Sequence, residues 1–324
     1  MSPLPSYLHP ITAPTPFPVG PVNLYLAEGD PLTLIDTGPR FGPAREALRE
    51  GLAALGYRPA DLGRILLTHI HGDHCGLAAE LAGSSGAEVL THPANFPQLA
   101  DYADERERRI AFYSALMQEA GMPPGGIAQI DRVQRGYGRF AEPVRPDGPL
   151  EEGMTVRLGG EEWQVLHTPG HTGGLICLYQ PQRRLLLSSD HLLRDISSNP
   201  IVEPPAREGG ERPHRLLDYL AQLERIARLP TEVALPGHGP PITDVPGLVA
   251  SRLAFHEQRA RQVLEALRDG PCTIYQITLA LFPELDPINR FLAISEVIGH
   301  LDWLQVQGWV ESQIEEGVRW WRSV

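Results

Sequence analysis

The sequence predicts an α/β protein: an αββα sandwich of two sheets covered by helices, followed by a small winged-helix domain. Three observations carry this expectation. Short apolar strand patterns, some of them alternating, recur with helical stretches between them up to about residue 245. The densest loops of His and Asp follow directly on such strands. From about Pro246 the texture changes to three helical stretches and a closing pair of strands.

The elements follow in order. Val22–Ala27 and Leu32–Asp36 read as strands broken at Gly29-Asp30-Pro31. A helix is expected over about Pro43–Leu55, where Ala44, Ala47, Leu48, Leu52 and Leu55 line one face. An apolar strand, Arg64–Thr68, leads into His69-Ile-His-Gly-Asp-His74, a short helix at about Cys75–Leu81 and a strand at Ala87–Thr91. Residues from about Pro93 to Pro149 break the rhythm with a charged helical stretch, Asp101–Gly121, and then Pro- and Gly-rich segments. That is too long for an ordinary connection and reads as an inserted helical segment. Its aromatic residues Tyr102, Phe112, Tyr113, Tyr137 and Phe140 either wall an apolar pocket or form a small core of the insertion's own. Strands resume at Thr155–Leu158, Trp163–His167, Leu175–Tyr179 and Leu185–Ser189. An irregular stretch, Ser197–Pro213, precedes a helix at about His214–Leu229 and a last core strand, Thr231–Leu235. Beyond Pro246 a long helix to about Asp269, helices at about Thr273–Phe282 and Asn289–Gln307, and strands Trp309–Ile314 and Val318–Arg322 turning at Gly317 make up the winged helix, residues 246–324.

Composition narrows the function classes. The 324 residues carry a formal net charge of −12, against the basic surface that a general nucleic-acid binder needs. Lysine is absent, and the segment after Pro246 has seven Arg against ten acids, so its helices are expected to pack, and to dimerise, rather than read nucleic acid. The three cysteines, Cys75, Cys177 and Cys272, are far apart, which argues against a disulfide framework and fits a reducing compartment. No apolar run is long enough to span a membrane. Met1–Pro21 has no basic start followed by an apolar stretch, so the expected location is cytoplasmic.

The chemistry concentrates in four places. In His69-x-His71-x-Asp73-His74, a period of two sends His69 and His71 to one side, while Asp73 and His74 sit where the chain turns into a helix. His171 lies in Thr168-Pro-Gly-His171 after a strand, Asp190 ends the run Leu185–Ser189, and His238 lies in Pro236-Gly-His-Gly-Pro240. A lone Pro-Gly-His-Gly is ordinarily a turn, and a lone Ser-Asp-His a strand-end cap. All four clusters in order, each after a strand, point instead to metal. Imidazole and carboxylate suit zinc, and iron or manganese equally. Three His and a carboxylate make a first site; Asp73, His74, His238 and a shared carboxylate make a second, with Asp190 able to bridge. Such a pair would bridge a water and bring its pKa toward about 7.

These motifs resemble the metallo-β-lactamase superfamily over about residues 20–243, and Leu34-Ile-Asp-Thr-Gly38 is similar to its early strand end. The resemblance implies that His69, His71 and His171 hold metal one, that Asp73, His74 and His238 hold metal two, and that Asp190 bridges. The C-terminal segment resembles the winged helix of a β-lactamase-like branch that includes an endoribonuclease, thioesterases and glyoxalase II-like proteins. True zinc β-lactamases commonly use Cys at the second metal, where this chain has Asp190, which argues against β-lactam cleavage. Flavodiiron proteins have Glu where His71 stands, and the large insertion of the exonuclease branch is absent. Glyoxalase II proper ends in helices that hold glutathione, where this chain has the winged helix. The expected function is hydrolysis of a small acyl substrate, a thioester, lactone or related ester, by a metal-bridging hydroxide. The alternative is a metal-dependent phosphodiesterase or endoribonuclease. Asp73, Asp190 and His191 are the expected catalytic residues, His191 because it follows the bridging carboxylate. Asp36 either orients a ligating His or caps a strand. Arg194 and Asn199 are weaker substrate-binding candidates, Cys75 packs a helix, and His9, His92, His167, His214, His256 and His300 read as surface or packing residues.

Overall fold

The computed structural model describes residues 4–207 and 209–324. Residues 1–3 of the Pro-rich start, and Glu208 within the irregular stretch after Ser197, lie outside the described residues.

Two sheets face each other. The first has six strands in the order β1 (Leu8–Ala13), β2 (Val22–Ala27), β3 (Thr33–Ile35), β4 (Arg64–Leu66), β5 (Glu88–Thr91) and β6 (Gly148–Pro149). The first three strands pair antiparallel, and β3 to β6 pair parallel. The second comprises β7 (Thr155–Leu158), β8 (Glu161–His167), β9 (Ile176–Gln180), β10 (Leu185–Ser189) and β11 (Val233–Pro236), ordered β11-β10-β9-β8-β7, with a parallel pairing only between β10 and β11. Strand β1 was not expected. Its Pro10 removes a ladder donor, which an edge strand tolerates.

The layers are set by where the apolar faces go. Tyr25, Ile35 and Leu66 of the first sheet meet Trp163, Val165, Leu178 and Leu187 of the second in an inter-sheet core. Outside the first sheet lie α1 (Gly42–Ala54), which buries Ala44, Leu48 and Leu52 at a spacing of four, and α3 (Ala78–Ser85). The single helix expected near residues 75–81 is divided into α2 (Gly72–Cys75) and α3. Outside the second sheet lie α7 (Arg215–Ala227) and the first half of α8 (Val245–Ala266). This is the αββα sandwich. Each fully buried aliphatic side chain in it contributes about 1.5–3 kcal/mol relative to exposure.

The insertion forms α4 (Phe96–Ala100), α5 (Tyr102–Glu119) and α6 (Pro124–Tyr137). Helix α6 forms in a stretch that Gly125, Gly126 and Gly136 mark as irregular. Packing overrides propensity there: Ile130 is buried among side chains from the end of the chain. Those come from α9 (Ile274–Leu281), α10 (Pro287–Val306) and a small sheet of β12 (Cys272–Thr273), β14 (Val318–Ser323) and β13 (Val310–Glu315), in that order. Tyr113, Met117 and Ile130 share one core with Val263, Phe291, Ile294 and Trp321. Of the insertion's aromatic residues, Tyr102, Tyr113 and Tyr137 line a cavity, as one of the two expectations had it, while Phe112 and Tyr113 join a core built jointly with the C-terminal elements. No helix among the described residues is long and apolar enough to cross a membrane.

Candidate metal centre

The loops after β4, β8, β10 and β11 converge on one edge of the sandwich. His69, His71, Asp73, His74, His171, Asp190 and His238 all arrive there, forming three overlapping groups: His69 with His71 and His171, His69 with His74 and Asp190, and Asp73 with His74 and His238. His71 Nδ1 lies 3.1 Å from His69 Nε2 and 2.9 Å from His171 Nε2. His74 Nε2 lies 3.4 Å from Asp190 Oδ1, and His238 Nε2 lies 3.4 Å from Asp73 Oδ2 and 3.7 Å from Asp190 Oδ2. His171 Nε2 is 3.7 Å from the same Asp190 oxygen.

The ring nitrogens on the far sides are tied down, and this fixes which nitrogen faces inward. His171 Nδ1 donates to the Asn199 carbonyl at 3.0 Å, and His238 Nδ1 donates to the Pro21 carbonyl at 2.8 Å. A carbonyl only accepts, so the proton sits on Nδ1 and a lone pair is left on Nε2. His74 Nδ1 donates to Asp36 Oδ2 at 2.8 Å. Thr68 spends its hydroxyl proton on Asp36 at 2.8 Å, so its oxygen accepts from His69 Nδ1 at 3.1 Å. Asp36 thus holds two of the histidines, one directly and one through Thr68, which is the orienting alternative of the two weighed for it.

This inward-facing set fits a divalent cation. Nε2 of His74, Nε2 of His238 and Oδ1 of Asp190 are buried with no hydrogen-bond partner. Buried polar atoms without partners are costly, and the inward nitrogens of His69 and His171 both face His71 Nδ1, which has at most one proton to share between them. The donors are nitrogen and carboxylate oxygen, the set that suits zinc, iron and manganese. Electrostatics agree. Burial pushes His71 down to about 3 and His69 well below its usual range, so both are neutral donors. Burial opposes the charged form of Asp190, yet His74 and His238 hold its carboxyl well below the usual range. His74 differs from His69 and His71: burial opposes charge on it, but Asp190 and Asp36 raise it well above its usual range, so the two carboxylates draw a positive charge to this spot, which a proton on His74 supplies unless a cation displaces it.

The backbone is shaped for close approach. A Cβ on Gly237 would collide with Asp190 Oδ1, so only glycine fits beside the carboxylate. Ser189, immediately before Asp190, is left-handed at φ 44°, and its hydroxyl lies 2.8 Å from that of Thr68. That contact helps hold a conformation that side chains other than glycine rarely adopt.

One expectation is corrected. His191 has no exposure, lies outside the cavity at the centre, and turns its ring edge toward Tyr219 at 5.6 Å, with burial pushing it down to about 3. It is not placed to touch a substrate carbonyl. Arg194 is half exposed and paired with Asp195. Asn199 does line the cavity, and its amide nitrogen donates to the Leu292 carbonyl at 3.2 Å. Two residues not singled out from the sequence hold the His171 loop from either side. Glu203, 4 % exposed, accepts from Gly173 N at 2.9 Å and Arg215 Nε at 2.7 Å, with Arg109 Nη1 at 3.5 Å. Asn95 donates to the Gly174 carbonyl at 2.9 Å.

A cavity of about 410 Å³ opens onto His71, Asp73, His171 and Asp190. Its remaining wall is largely apolar and comes from Phe17–Val19, Ile70, the insertion, the loop at Leu193–Ile201 and the start of α10. The insertion therefore lies over the metal edge, as expected from its early departure from the sheet.

Comparison with known proteins agrees with this geometry. The family model described as metallo-beta-lactamase superfamily matches residues 17–238. The probable metallo-hydrolase YqjP of Bacillus subtilis is 35% identical over 314 residues, 97% of either chain. A metallo-beta-lactamase family protein of Thermus thermophilus superposes with a TM-score of 0.83 at 33% identity, covering 98% of this chain and 99% of its own. The acyl-coenzyme A thioesterase MBLAC2 of Homo sapiens is 28% identical over 53% of this chain and 54% of its own. With its sandwich, its convergent His and Asp loops and these matches, the chain belongs to the metallo-beta-lactamase superfamily, as a hydrolytic enzyme of it.

Proposed function

We propose that the chain hydrolyses an acyl compound, a thioester in the first place and a lactone or simple ester by the same route. The observation that carries this reading is the apolar cavity that ends on His71, Asp73, His171 and Asp190. A carbonyl attached to an apolar acyl group is carried by such a cavity to the ring nitrogens. Similarity to a relative described as an acyl-coenzyme A thioesterase supports the same class.

In this reading His69, His71 and His171 hold one divalent cation, Asp73, His74 and His238 a second, and Asp190 is shared. Zinc is the first choice, with iron or manganese accommodated by the same donors. Such a pair supplies, when bound, a water acidified for attack at neutral pH and a Lewis acid for the carbonyl oxygen. The chain's own residues do the rest. Asp36, Thr68 and the carbonyls of Asn199 and Pro21 keep the imidazole lone pairs aimed inward. Asp190 and Asp73 balance positive charge at the centre, and the apolar wall excludes water from the acyl side. Residues 246–324 act, in this reading, as a winged-helix domain that closes the cavity.

A phosphodiester substrate fits less well. Phosphates call for free basic groups, whereas of the two arginines in the cavity wall Arg109 is spent on Gln98, Tyr113 and Glu203 and Arg106 is paired with Glu107 at 3.7 Å. The test is a purified, metal-analysed sample assayed against acyl thioesters, lactones, phosphodiesters and single-stranded RNA. Turnover of a thioester or lactone is expected. Cleavage of the phosphodiesters with no acyl hydrolysis would overturn the reading.

A further inference from the structure

We infer that the cavity over the metal centre is a binding site for a linear aliphatic acyl chain, with its far wall built by the C-terminal helix α10 as well as by the insertion. This rests on the acyl-hydrolase reading and goes beyond it in naming the substrate's chemistry and the residues that measure its length.

The cavity has two unlike linings. His71, Asp73, His171 and Asp190 give it a polar, metal-ligating part. Ile110 of α5, Ile130 and Val133 of α6, Ile201, and Phe291 and Leu292 of α10 present hydrocarbon. At about 410 Å³ the space is of small-molecule size, too small for a folded partner. Much of the charge that borders it is neutralised by the protein itself. Arg109 bonds Gln98 at 2.9 Å and Tyr113 at 2.8 Å, and Glu105 is paired with Arg108. A ligand passing these groups meets mainly apolar surface, and burying apolar surface is the attraction on offer.

The wall residues are not free to drift. Ile130 and Phe291 belong to the core shared by the insertion and the C-terminal elements. Asn199 links the wall to the metal centre, because its carbonyl accepts from His171 Nδ1 while its amide donates to the Leu292 carbonyl. A hydrogen-bonded connection thus fixes where the hydrocarbon wall stands relative to the ring nitrogens, and a wall fixed against the reacting groups limits the length of chain that fits between them.

The test reads binding without turnover. Butanoate, octanoate, dodecanoate and hexadecanoate are titrated into the metal-loaded full chain, with naphthoate as an aromatic control. Affinity is expected to rise about fourfold per methylene and then level off once the cavity is full. Val133→Trp and Leu292→Trp, both at partly exposed wall positions, should move the levelling-off point to shorter chains. Affinity independent of length would overturn the inference, as would naphthoate binding above every alkanoate, or a levelling-off point untouched by both Trp substitutions in folded protein. Length-dependent binding without any acyl hydrolysis would uphold the chain site and remove the proposed function. Hydrolysis with no length dependence in either binding or turnover would do the reverse.

Discussion

The two halves of the active cleft are built on opposite principles. The metal edge is assembled from short loops at strand ends, each carrying its polar residues within a few positions, and most of its imidazoles are held by a hydrogen bond whose partner can be named. The hydrocarbon wall has no such local code. Tyr113, Ile130 and Phe291 come together from remote parts of the chain and are held chiefly by packing. A centre held by directional bonds keeps its geometry through changes in its surroundings, while a wall held by packing is retuned by any change of volume. Chemistry and selectivity can therefore vary separately in this fold.

That division makes ordered predictions. The largest effect belongs to the shared carboxylate. Asp190→Ala removes a group common to both proposed cations, and elemental analysis should show loss of bound metal together with loss of turnover. Retention of two ions and near-normal rates would show that the metal edge does not depend on it. Next comes a residue that acts through the ligands. Asp36→Asn should weaken metal binding or activity by about 10–100-fold, since it no longer accepts from His74 Nδ1 and Thr68 as a carboxylate. An unchanged metal affinity would show that the loop positions His74 without it.

On the wall side, Trp321→Ala should lower stability by about 3–5 kcal/mol in a denaturant titration, because Trp321 is 4 % exposed in the shared core. It should also alter KM for acyl substrates while leaving metal content at its wild-type value. Metal loss in that variant would break the proposed separation of the two halves. The smallest effect is a pH dependence away from the metals. His256 and His300 are buried against each other, their ring nitrogens 3.2 Å apart, and burial pushes them down to about 3 and about 4. Between the ordinary histidine value of about 6.5 and those values the unfolded chain binds protons that the folded chain does not, so stability should fall as pH falls through that window. Replacing both residues with Gln should flatten the slope. An equal slope in the double variant would assign the effect to other groups.

Much of the metal edge was legible because its information is local. His69, His71, Asp73 and His74 lie within six positions, and strand ends point their loops to a common side. His191 was misread because the chain turns at Ser189, with His191 N donating to the Ser188 carbonyl, and the turn sends its ring toward Tyr219. Asp36 could not be assigned, since its partner His74 is 38 residues away. Glu203 gave no signal at all, being a lone carboxylate in an irregular stretch that reaches back 30 residues to Gly173. Helix α6 was hidden by its glycines, and β1 by its proline, both cases in which tertiary packing overrules the local preference. The cavity wall was legible only in its aromatic residues Tyr102, Tyr113 and Tyr137, and the part from α10 was not, because an apolar helix face announces that it will be buried without saying against what.

The joint core of α5, α6 and the C-terminal elements also has a consequence for how the chain matures. During synthesis, the apolar faces of residues 113–130 emerge well before Val263, Phe291 and Trp321, which cover them. Contacts closed across such long separations form late and slowly. Until the last strand has left the ribosome, the nascent chain carries an uncovered hydrocarbon face beside an otherwise foldable sandwich, and that interval is when it is most exposed to aggregation and most in need of a chaperone.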